Sequence, residues 1–224
     1  MAPTTNDAFL ADARKRMVES QLRPNKVTDP RILAAMRALP REAFLPPALL
    51  ALAYSDQNVA LGGGRVLTQP MTLARLAQAA TPLPGERVLI VGAGTGYSAA
   101  VFSAIGCAVT ALEEPGPLAE LAQSALAATS PGVSLVLGSL AAGWAAGAPY
   151  DIVLIDGAVP EIPAALGHQL NQDTGRLVAI VGDGGHTSHA ARCEPGAAGL
   201  SVRALFDCLC PVIPAFARTP AFQF

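Results

Sequence analysis

The sequence predicts an α/β fold, in which a doubly wound and mostly parallel sheet follows a helical segment. Three features indicate this fold. Continuous apolar runs alternate with helical stretches after residue 84, a glycine-rich turn follows the first run, and residues 1–80 have a helical pattern. Strands covered on both faces form such continuous runs, and their alternation with helices implies parallel strands joined by right-handed crossovers. A chain of 224 residues is long enough for one domain of this kind.

The composition argues against several classes of partner. Hydrophobic residues make up 51% and charged residues 14% of the chain, whereas roughly 25% charged is typical of soluble domains. The net charge of −2 gives no electrostatic reason to expect a nucleic acid partner. The N-terminus lacks a basic stretch followed by an apolar core, so we expect no signal peptide and a cytoplasmic protein. Val88–Leu112 carries no charge, but its glycines divide it into strand, turn, helix and strand, so we expect no membrane partner.

Residues 1–80 carry apolar residues at helical spacing, interrupted by prolines. The stretch "DAFLADARKRMVESQLRP" predicts a first helix ended by its proline, and "VTDPRILAAMRALP" predicts a second helix with Thr28 as its cap. A third, proline-interrupted segment follows, and Gly62–Gly64 form a loop. Thr68 is then expected to cap a helix from about Gln69 to Ala80.

The pattern changes at residue 81, so we expect the helical segment 1–80 to pack on an α/β core of residues 81–224 within one domain. Five apolar runs in the core predict strands, namely "RVLIV", "CAVTAL", "VSLVLG", "YDIVLID" and "GRLVAIV". The stretches "YSAAVFSAI" and "LAELAQSALAA" predict helices between the first three strands. The tail, "LSVRALFDCLCPVI" and "AFARTPAFQF", predicts one or two strands that add to the sheet edge.

The turn "VGAGTGY" follows the first predicted strand and opens a helix, so its backbone can approach a ligand closely. Glu113 ends the next strand about 20 residues later, a spacing that places a carboxylate on a ribose hydroxyl. A dinucleotide site needs a small residue where this chain has the bulky Tyr97. The pattern Gly-x-Gly-x-Gly instead resembles the first motif of S-adenosylmethionine-dependent methyltransferases, which have a Rossmann-like fold. The predicted cofactor-binding residues here are Gly92, Gly94, Thr95, Gly96, Glu113 and Glu114.

Longer stretches resemble the protein-L-isoaspartate O-methyltransferases. They are "MVESQLRPNKVTDPRILAAMRALPREAFLP", "AYSDQNVALGGGRVLTQPMTLARL", "GERVLIVGAGTGY", "PYDIVLIDGAVPEIPAAL" and "GRLVAIVG", and they lie between Met17 and Gly182. Enzymes of this family methylate the carboxylate of isoaspartyl residues in proteins and peptides, and the ester then closes to a succinimide. The resemblance therefore implies a transferase that uses S-adenosylmethionine and an isoaspartyl substrate in protein repair.

The resemblance also assigns residues to the site. It places the active-site hydroxyl at Thr68 and lines the cofactor with Val66, Leu67 and Thr68. It places Asp56 in a loop beside the substrate and Glu113 on the ribose of the cofactor. The acceptor carboxylate is already an anion at pH 7, so it needs alignment with the methyl group more than it needs a general base.

Several positions depart from the family pattern. Thr68 stands where serine is usual, and Ile90 stands where an acidic residue is usual. Ser139 and Leu140 follow Gly138 where the family has Gly-Asp-Gly, so Ser139 can accept a hydrogen bond from the adenine amino group only without charge assistance. The family's C-terminal strand is not recognisable in "FDCLCPVIPAFARTPAFQF". Two alternatives therefore stay open, a methyltransferase of the same fold with another acceptor and a non-catalytic cofactor-binding or scaffold protein.

The sequence predicts no metal site. His186 and His189 lie three residues apart near Asp183 in "GDGGHTSHA", but no further ligand has a suitable spacing. Glycine-rich loops carry such residues by chance. The sequence does not determine the oligomeric state.

Overall fold

The five strands predicted from the apolar runs all form, and they belong to a single seven-stranded sheet. The computed structural model describes residues 5–183, 188–197 and 199–217. In chain order the strands are β1 (Val59–Gly62), β2 (Arg65–Leu67), β3 (Arg87–Val91), β4 (Ala108–Glu113), β5 (Ser134–Leu137), β6 (Ile152–Val159), β7 (Arg176–Val181), β8 (His189–Gly196) and β9 (Gly199–Asp207). The sheet order is β5-β4-β3-β6-β7-β8-β9, while β1 and β2 form a separate hairpin. The first five strands of the sheet pair in parallel and the last two pair antiparallel, which confirms the predicted fold class.

Apolar residues fill both faces of the sheet. The helices are α1 (Thr5–Met17), α2 (Pro30–Ala38), α3 (Pro70–Ala80), α4 (Tyr97–Ile105), α5 (Pro117–Thr129) and α6 (Ala164–Gly167). Along β3, Val88 and Ile90 belong to one buried cluster, whereas Leu89 and Val91 belong to the other. Because successive side chains of a strand point to opposite faces, a strand covered on both sides needs an unbroken apolar run.

The helix ends in the N-terminal segment differ from those predicted. The first helix does not run as one α-helix to its proline, because α1 stops at Met17 and a π-helical turn (Val18–Leu22) and a 3-10 turn continue it. The cap of α2 is Asp29 rather than Thr28, since the Asp29 carboxylate accepts the Arg31 backbone N–H at 2.9 Å. Asp29 immediately precedes the proline that begins the helix, which is the position a capping side chain requires.

The C-terminal region contains a strand that the sequence did not predict. β8 lies between β7 and β9, although its sequence "HAARCEPG" has no clear apolar run. β9 forms at the sheet edge, as predicted, and in the part of the tail that the structure describes, up to residue 217, no second edge strand follows it. Of the two histidines considered for a metal, His189 lies in β8 and His186 lies outside the described residues.

The charge-free stretch Val88–Leu112 consists of most of β3, the glycine turn, α4 and most of β4. This division was predicted. Within the residues that the structure describes, no helix has the length and apolar character needed to cross a bilayer.

Arg176, at the start of β7, attaches the end of α3 to the sheet. Its Nε donates to the Ala80 carbonyl at 2.7 Å and its Nη2 donates to the Thr81 carbonyl at 3.0 Å. Both terminal nitrogens also bind the Glu86 carboxylate at 2.7 Å, and the Arg176 side chain is only 6% exposed. A cation that satisfies the free carbonyls of a helix C-terminus stabilises that end. Because the other end of α3 follows Thr68, this anchor helps to orient the candidate site.

We expect Arg176→Gln to lower the free energy of unfolding by about 3 kcal/mol, because it leaves the Glu86 carboxylate and the carbonyls of Ala80 and Thr81 without their cation. Urea unfolding followed by circular dichroism measures this loss. The control is Arg16→Gln, which removes an exposed pair with Asp12 and should cost less than about 0.5 kcal/mol. Equal losses in the two variants would contradict the anchoring role.

Candidate active site

The glycine turn after β3 adopts a backbone that side chains disfavour. Gly92 has φ of 70° and Gly96 has φ of 96°, both in the left-handed region. A Cβ built on Gly96 would lie 2.9 Å from Leu126 Cγ, so α5 packs directly against this glycine. The backbone N–H groups of Gly92 and Ala93 donate to the Leu112 carbonyl at 3.0 and 3.1 Å. The turn is therefore fixed against the end of β4, next to Glu113, the last residue of that strand.

Glu113 is buried and receives four hydrogen bonds. The Gly94 and Glu114 backbone N–H groups donate to its carboxylate at 2.6 and 2.9 Å. Arg65 Nη1 and Nη2 each donate to one carboxylate oxygen at 2.8 Å, which is a bidentate pair. Arg65 Nη2 also donates to the Gly92 carbonyl at 2.9 Å. The carboxylate predicted to hold ribose is thus paired with a cation from the β1–β2 hairpin.

The segment after β9 crosses the carboxyl ends of the parallel strands. The Ala158 N–H donates to the Pro211 carbonyl at 3.2 Å, and the Ile213 N–H donates to the Ala158 carbonyl at 2.9 Å. Ile213 is 2% exposed. A Cβ built on Gly92 would lie 3.0 Å from Ile213 Cδ1, and one built on Gly157 would lie 2.6 Å from Ile213 Cγ1. Ile213 therefore packs onto the glycine turn itself.

Thr68 is buried and is held at both its side chain and its main chain. Its Oγ1 donates to Asp156 Oδ1 at 2.6 Å, and its carbonyl accepts from Arg41 Nη2 at 2.8 Å. Thr68 does not cap α3, contrary to the prediction. The Thr68 hydroxyl binds Asp156 instead. The N-cap position is occupied by Gln69, whose side chain makes no capping hydrogen bond.

Tyr97, the bulky residue in the glycine motif, joins the turn to the N-terminal segment. Its ring packs edge-on against Phe44 with centroids 5.3 Å apart. The Arg41 guanidinium lies 4.8 Å from the Tyr97 ring centroid, a cation–π geometry. Arg41 is fully buried, and its burial lowers the pKa of its guanidinium. The residue that argued against a dinucleotide thus has a packing role here.

The remaining predicted residues lie at various depths around this cleft. Asp56 is exposed, and its carboxylate accepts from Gln69 Nε2 at 2.9 Å, so it lies in the loop next to Thr68. Leu67 and Thr95 are buried, whereas Val66 is partly exposed and Glu114 is exposed. Leu140 is buried beside Gly92, with its Cδ1 3.6 Å from a Cβ built there, but Ser139 is exposed.

Sequence reasoning missed three residues of the cleft, Arg65, Asp156 and Ile213. Asp156 could have been predicted from the sequence, because it is the carboxylate at the C-terminal end of the apolar run "YDIVLID". Ligands of such folds bind at the carboxyl ends of the strands. Arg65 directly precedes the residues expected to line the cofactor, which is a weaker signal. Nothing in the local sequence marks Ile213.

The cleft contains groups that can bind S-adenosylmethionine, although the side chains of Arg65 and Ile213 fill part of it. A carboxylate at the end of β4 suits ribose hydroxyls, and the glycine turn presents backbone without side chains. A cavity of about 190 Å³ lies beside Glu113, lined also by Arg65, Glu114 and Pro214, which is smaller than the roughly 300–1,000 Å³ of most ligand pockets. The groups therefore fit the cofactor, provided that Arg65 and Ile213 move to admit it.

Comparison with known proteins gives consistent matches. The profile of the protein-L-isoaspartate(D-aspartate) O-methyltransferase family matches residues 12–203. A protein-L-isoaspartate O-methyltransferase of Methylorubrum extorquens is 46% identical over 189 residues, which cover 83% of this chain and 82% of the relative. Protein-L-isoaspartate O-methyltransferase 1 of Rhodopseudomonas palustris is 44% identical over 182 residues, which cover 80% of this chain and 74% of the relative. A solved protein-L-isoaspartate O-methyltransferase superposes with a TM-score of 0.78 at 24% identity, covering 91% of this chain and 67% of that chain.

The parallel sheet, the glycine turn and the carboxylate at the end of β4 define a Rossmann-like methyltransferase. Within that class, the chain belongs to the protein-L-isoaspartate(D-aspartate) O-methyltransferase family. The predictions of the family and of an O-methyltransferase of the protein-L-isoaspartate type are confirmed.

We expect Arg65→Gln to bind S-adenosylhomocysteine about tenfold more tightly than the unmodified chain, a gain of about 1.4 kcal/mol. The reason is that ribose must displace Arg65 from Glu113, and the variant removes this competitor. Calorimetric titration measures the affinity. A thermal melt should show a less stable variant in the absence of ligand, because Glu113 loses its buried cation.

The matched control is Arg203→Gln, which changes an exposed arginine on β9 and should leave the affinity unchanged. A folded Arg65→Gln variant with equal or weaker affinity would show that Arg65 does not compete with the ligand.

Proposed function

We propose that this chain transfers the methyl group of S-adenosylmethionine to the carboxylate of isoaspartyl residues in proteins and peptides, with Thr68 at the acceptor side. The observation that carries this assignment is the buried Thr68 hydroxyl, which is held 2.6 Å from Asp156 Oδ1, just beyond the last β6 residue that pairs with β3. The Arg41 contact to its carbonyl and the Asp156 contact to its hydroxyl support a positioning role. Asp56 would shape the neighbouring loop through Gln69.

The cofactor would be held by groups on four segments of the chain. Glu113, with Glu114 next to it, would bind the ribose, and the backbone of Gly92, Gly94, Thr95 and Gly96 would face the ligand. Val66 and Leu67 would line the site, and Ser139 and Leu140 would lie beside the adenine. When bound, S-adenosylmethionine supplies an electrophilic methyl group on a sulfonium. The chain's own contribution is to align a carboxylate that is already anionic at pH 7, so no basic side chain is required.

A different acceptor is the second candidate, and the segment around Ile213 favours it. Residues 211–213 cover the strand ends where an acceptor would lie, and Ile213 packs against both Gly92 and Gly157. An isoaspartyl peptide would have to displace or use this segment. The cytoplasmic location stays a prediction from the sequence.

We expect the chain to methylate an isoaspartyl peptide at least about tenfold faster than the otherwise identical aspartyl peptide, because a carboxylate shifted by one methylene misaligns with the methyl group. Radiolabel transfer from S-adenosylmethionine measures both rates. Equal rates, or no transfer while calorimetry still detects S-adenosylhomocysteine binding, would favour the second candidate.

We expect Thr68→Val to lower kcat by at least about tenfold, because it removes a hydrogen-bonding group at the reacting carboxylate. Thr68→Ser is the matched control, since it keeps the hydroxyl and should stay within about threefold of the unmodified rate. S-adenosylhomocysteine affinity should change little in either variant. If valine left kcat unchanged, Thr68 would not belong to the acceptor site.

A further inference from the structure

Asp156 directly contacts the proposed acceptor hydroxyl. It follows Ile155, the last β6 residue that pairs with β3, so it lies where the two strands separate. Thr68 Oγ1 donates to its Oδ1 at 2.6 Å, within the range of charge-assisted O–H···O⁻ bonds. Asp156 itself is partly exposed, whereas Thr68 is 1% exposed. Arg41 also holds the Thr68 carbonyl, which fixes the main chain from which this hydroxyl projects.

An ionised Asp156 makes the site unsuitable for an anionic acceptor. A threonine hydroxyl has a single proton to donate, and an ionised carboxylate can only accept. The Thr68 proton then points at Asp156, so Thr68 offers lone pairs rather than a donor to the acceptor. The acceptor carboxylate would also lie one hydroxyl away from a second negative charge, and like charges repel strongly where water is excluded.

Protonation of Asp156 reverses the direction of the hydrogen bond between its carboxyl group and the Thr68 hydroxyl. Its O–H donates to Thr68 Oγ1, and the Thr68 proton is free to point at the acceptor carboxylate. The acceptor gains a hydrogen bond and loses a repulsive neighbour. Binding of the acceptor and protonation of Asp156 therefore favour each other.

We propose that Asp156 is a positioning residue that takes up one proton when the acceptor carboxylate binds, and so makes the Thr68 hydroxyl a donor to that carboxylate. This inference rests on the proposed function, because it requires an anionic acceptor. The proton stays on Asp156 during transfer. The acceptor oxygen forms its bond to the methyl carbon with its own electron pair, and the methyl–sulfur bonding pair stays on sulfur. Anion and sulfonium thus become a neutral ester and a neutral thioether.

The surroundings of Asp156 allow it to hold a proton. Burial raises the pKa of its carboxyl, the Ser98 and Thr68 hydroxyls and the Arg65 and Arg41 guanidiniums lower it, and the net effect is a raised pKa. Cys210, from the segment after β9, also interacts with Asp156. Burial raises the pKa of its thiol to about 12, so the thiol stays neutral across the range of the experiment.

The test is the pH dependence of KM for an isoaspartyl peptide at saturating S-adenosylmethionine, from pH 6 to 9. With unmodified protein, KM should approach a tenfold rise per pH unit above the Asp156 pKa, because a proton must be taken up, while kcat changes little. Asp156→Asn should give a KM independent of pH, because its amide donates to Thr68 without titrating. Asp156→Glu should restore the slope. Asp173→Asn, at an exposed site, should keep the unmodified profile.

The outcomes separate the two proposals. A flat KM in active unmodified protein, or an unchanged slope in Asp156→Asn, would overturn the role of Asp156 and leave the proposed function intact. Failure of unmodified protein to methylate the isoaspartyl peptide at every pH would overturn the proposed function, and this inference with it. A second measurement needs no variant. Calorimetry of peptide binding to protein saturated with S-adenosylhomocysteine, in buffers of different ionisation enthalpy, should show uptake approaching one proton, and zero uptake would overturn the inference.

Discussion

The buried guanidinium of Arg41 is the interaction on which the geometry of the site depends. It donates to the carbonyls of Ala53 and Thr68, both at 2.8 Å, and it lies over the Tyr97 ring. Taking a cation out of water costs several kcal/mol, so this position is tolerable only because carbonyl oxygens and the electron-rich ring face the charge. Because each of these partners belongs to a different segment, a single side chain fixes the acceptor loop relative to the glycine turn.

The parts of the fold and site that the sequence could predict are those encoded by short, local patterns. The β3 run, the glycine turn and Glu113 form one continuous pattern, and the turn and the carboxylate do meet, with the Gly94 N–H 2.6 Å from Glu113. The carboxyl ends of adjacent parallel strands must lie side by side, so this contact follows from the strand assignment. Thr68 was predicted from the resemblance, and its neighbour Asp156 ends the apolar run that predicted β6, although the strand itself continues to Val159.

The features that could not be predicted depend on contacts between distant parts of the chain. Thr68 has the residue type of a helix cap, but a tertiary partner 88 residues away takes its hydroxyl. From the sequence alone, Arg65 is only a polar residue near a glycine loop. Its ion pair with Glu113, 48 residues away in the sequence, exists only in the folded chain. β8 forms a strand although its sequence has no apolar run, because it pairs with β7 on one side and β9 on the other. Local propensity is a weak guide wherever tertiary contacts compete with it.

The charges of the cleft suit a reaction in which a cation and an anion combine to give neutral products. A fixed negative charge beside the acceptor would favour the sulfonium but would repel the incoming carboxylate. Two carboxylates of the cleft, Glu113 and Asp156, are neutralised in different ways. Glu113 is paired with Arg65 through two hydrogen bonds of 2.8 Å. Asp156 has no such bidentate cation and shares a hydroxyl proton with Thr68 instead, so proton uptake is the means left to it. Before the cofactor binds, Glu113 is therefore balanced by a cation of the chain, and when the acceptor binds, Asp156 is balanced by a proton from solvent.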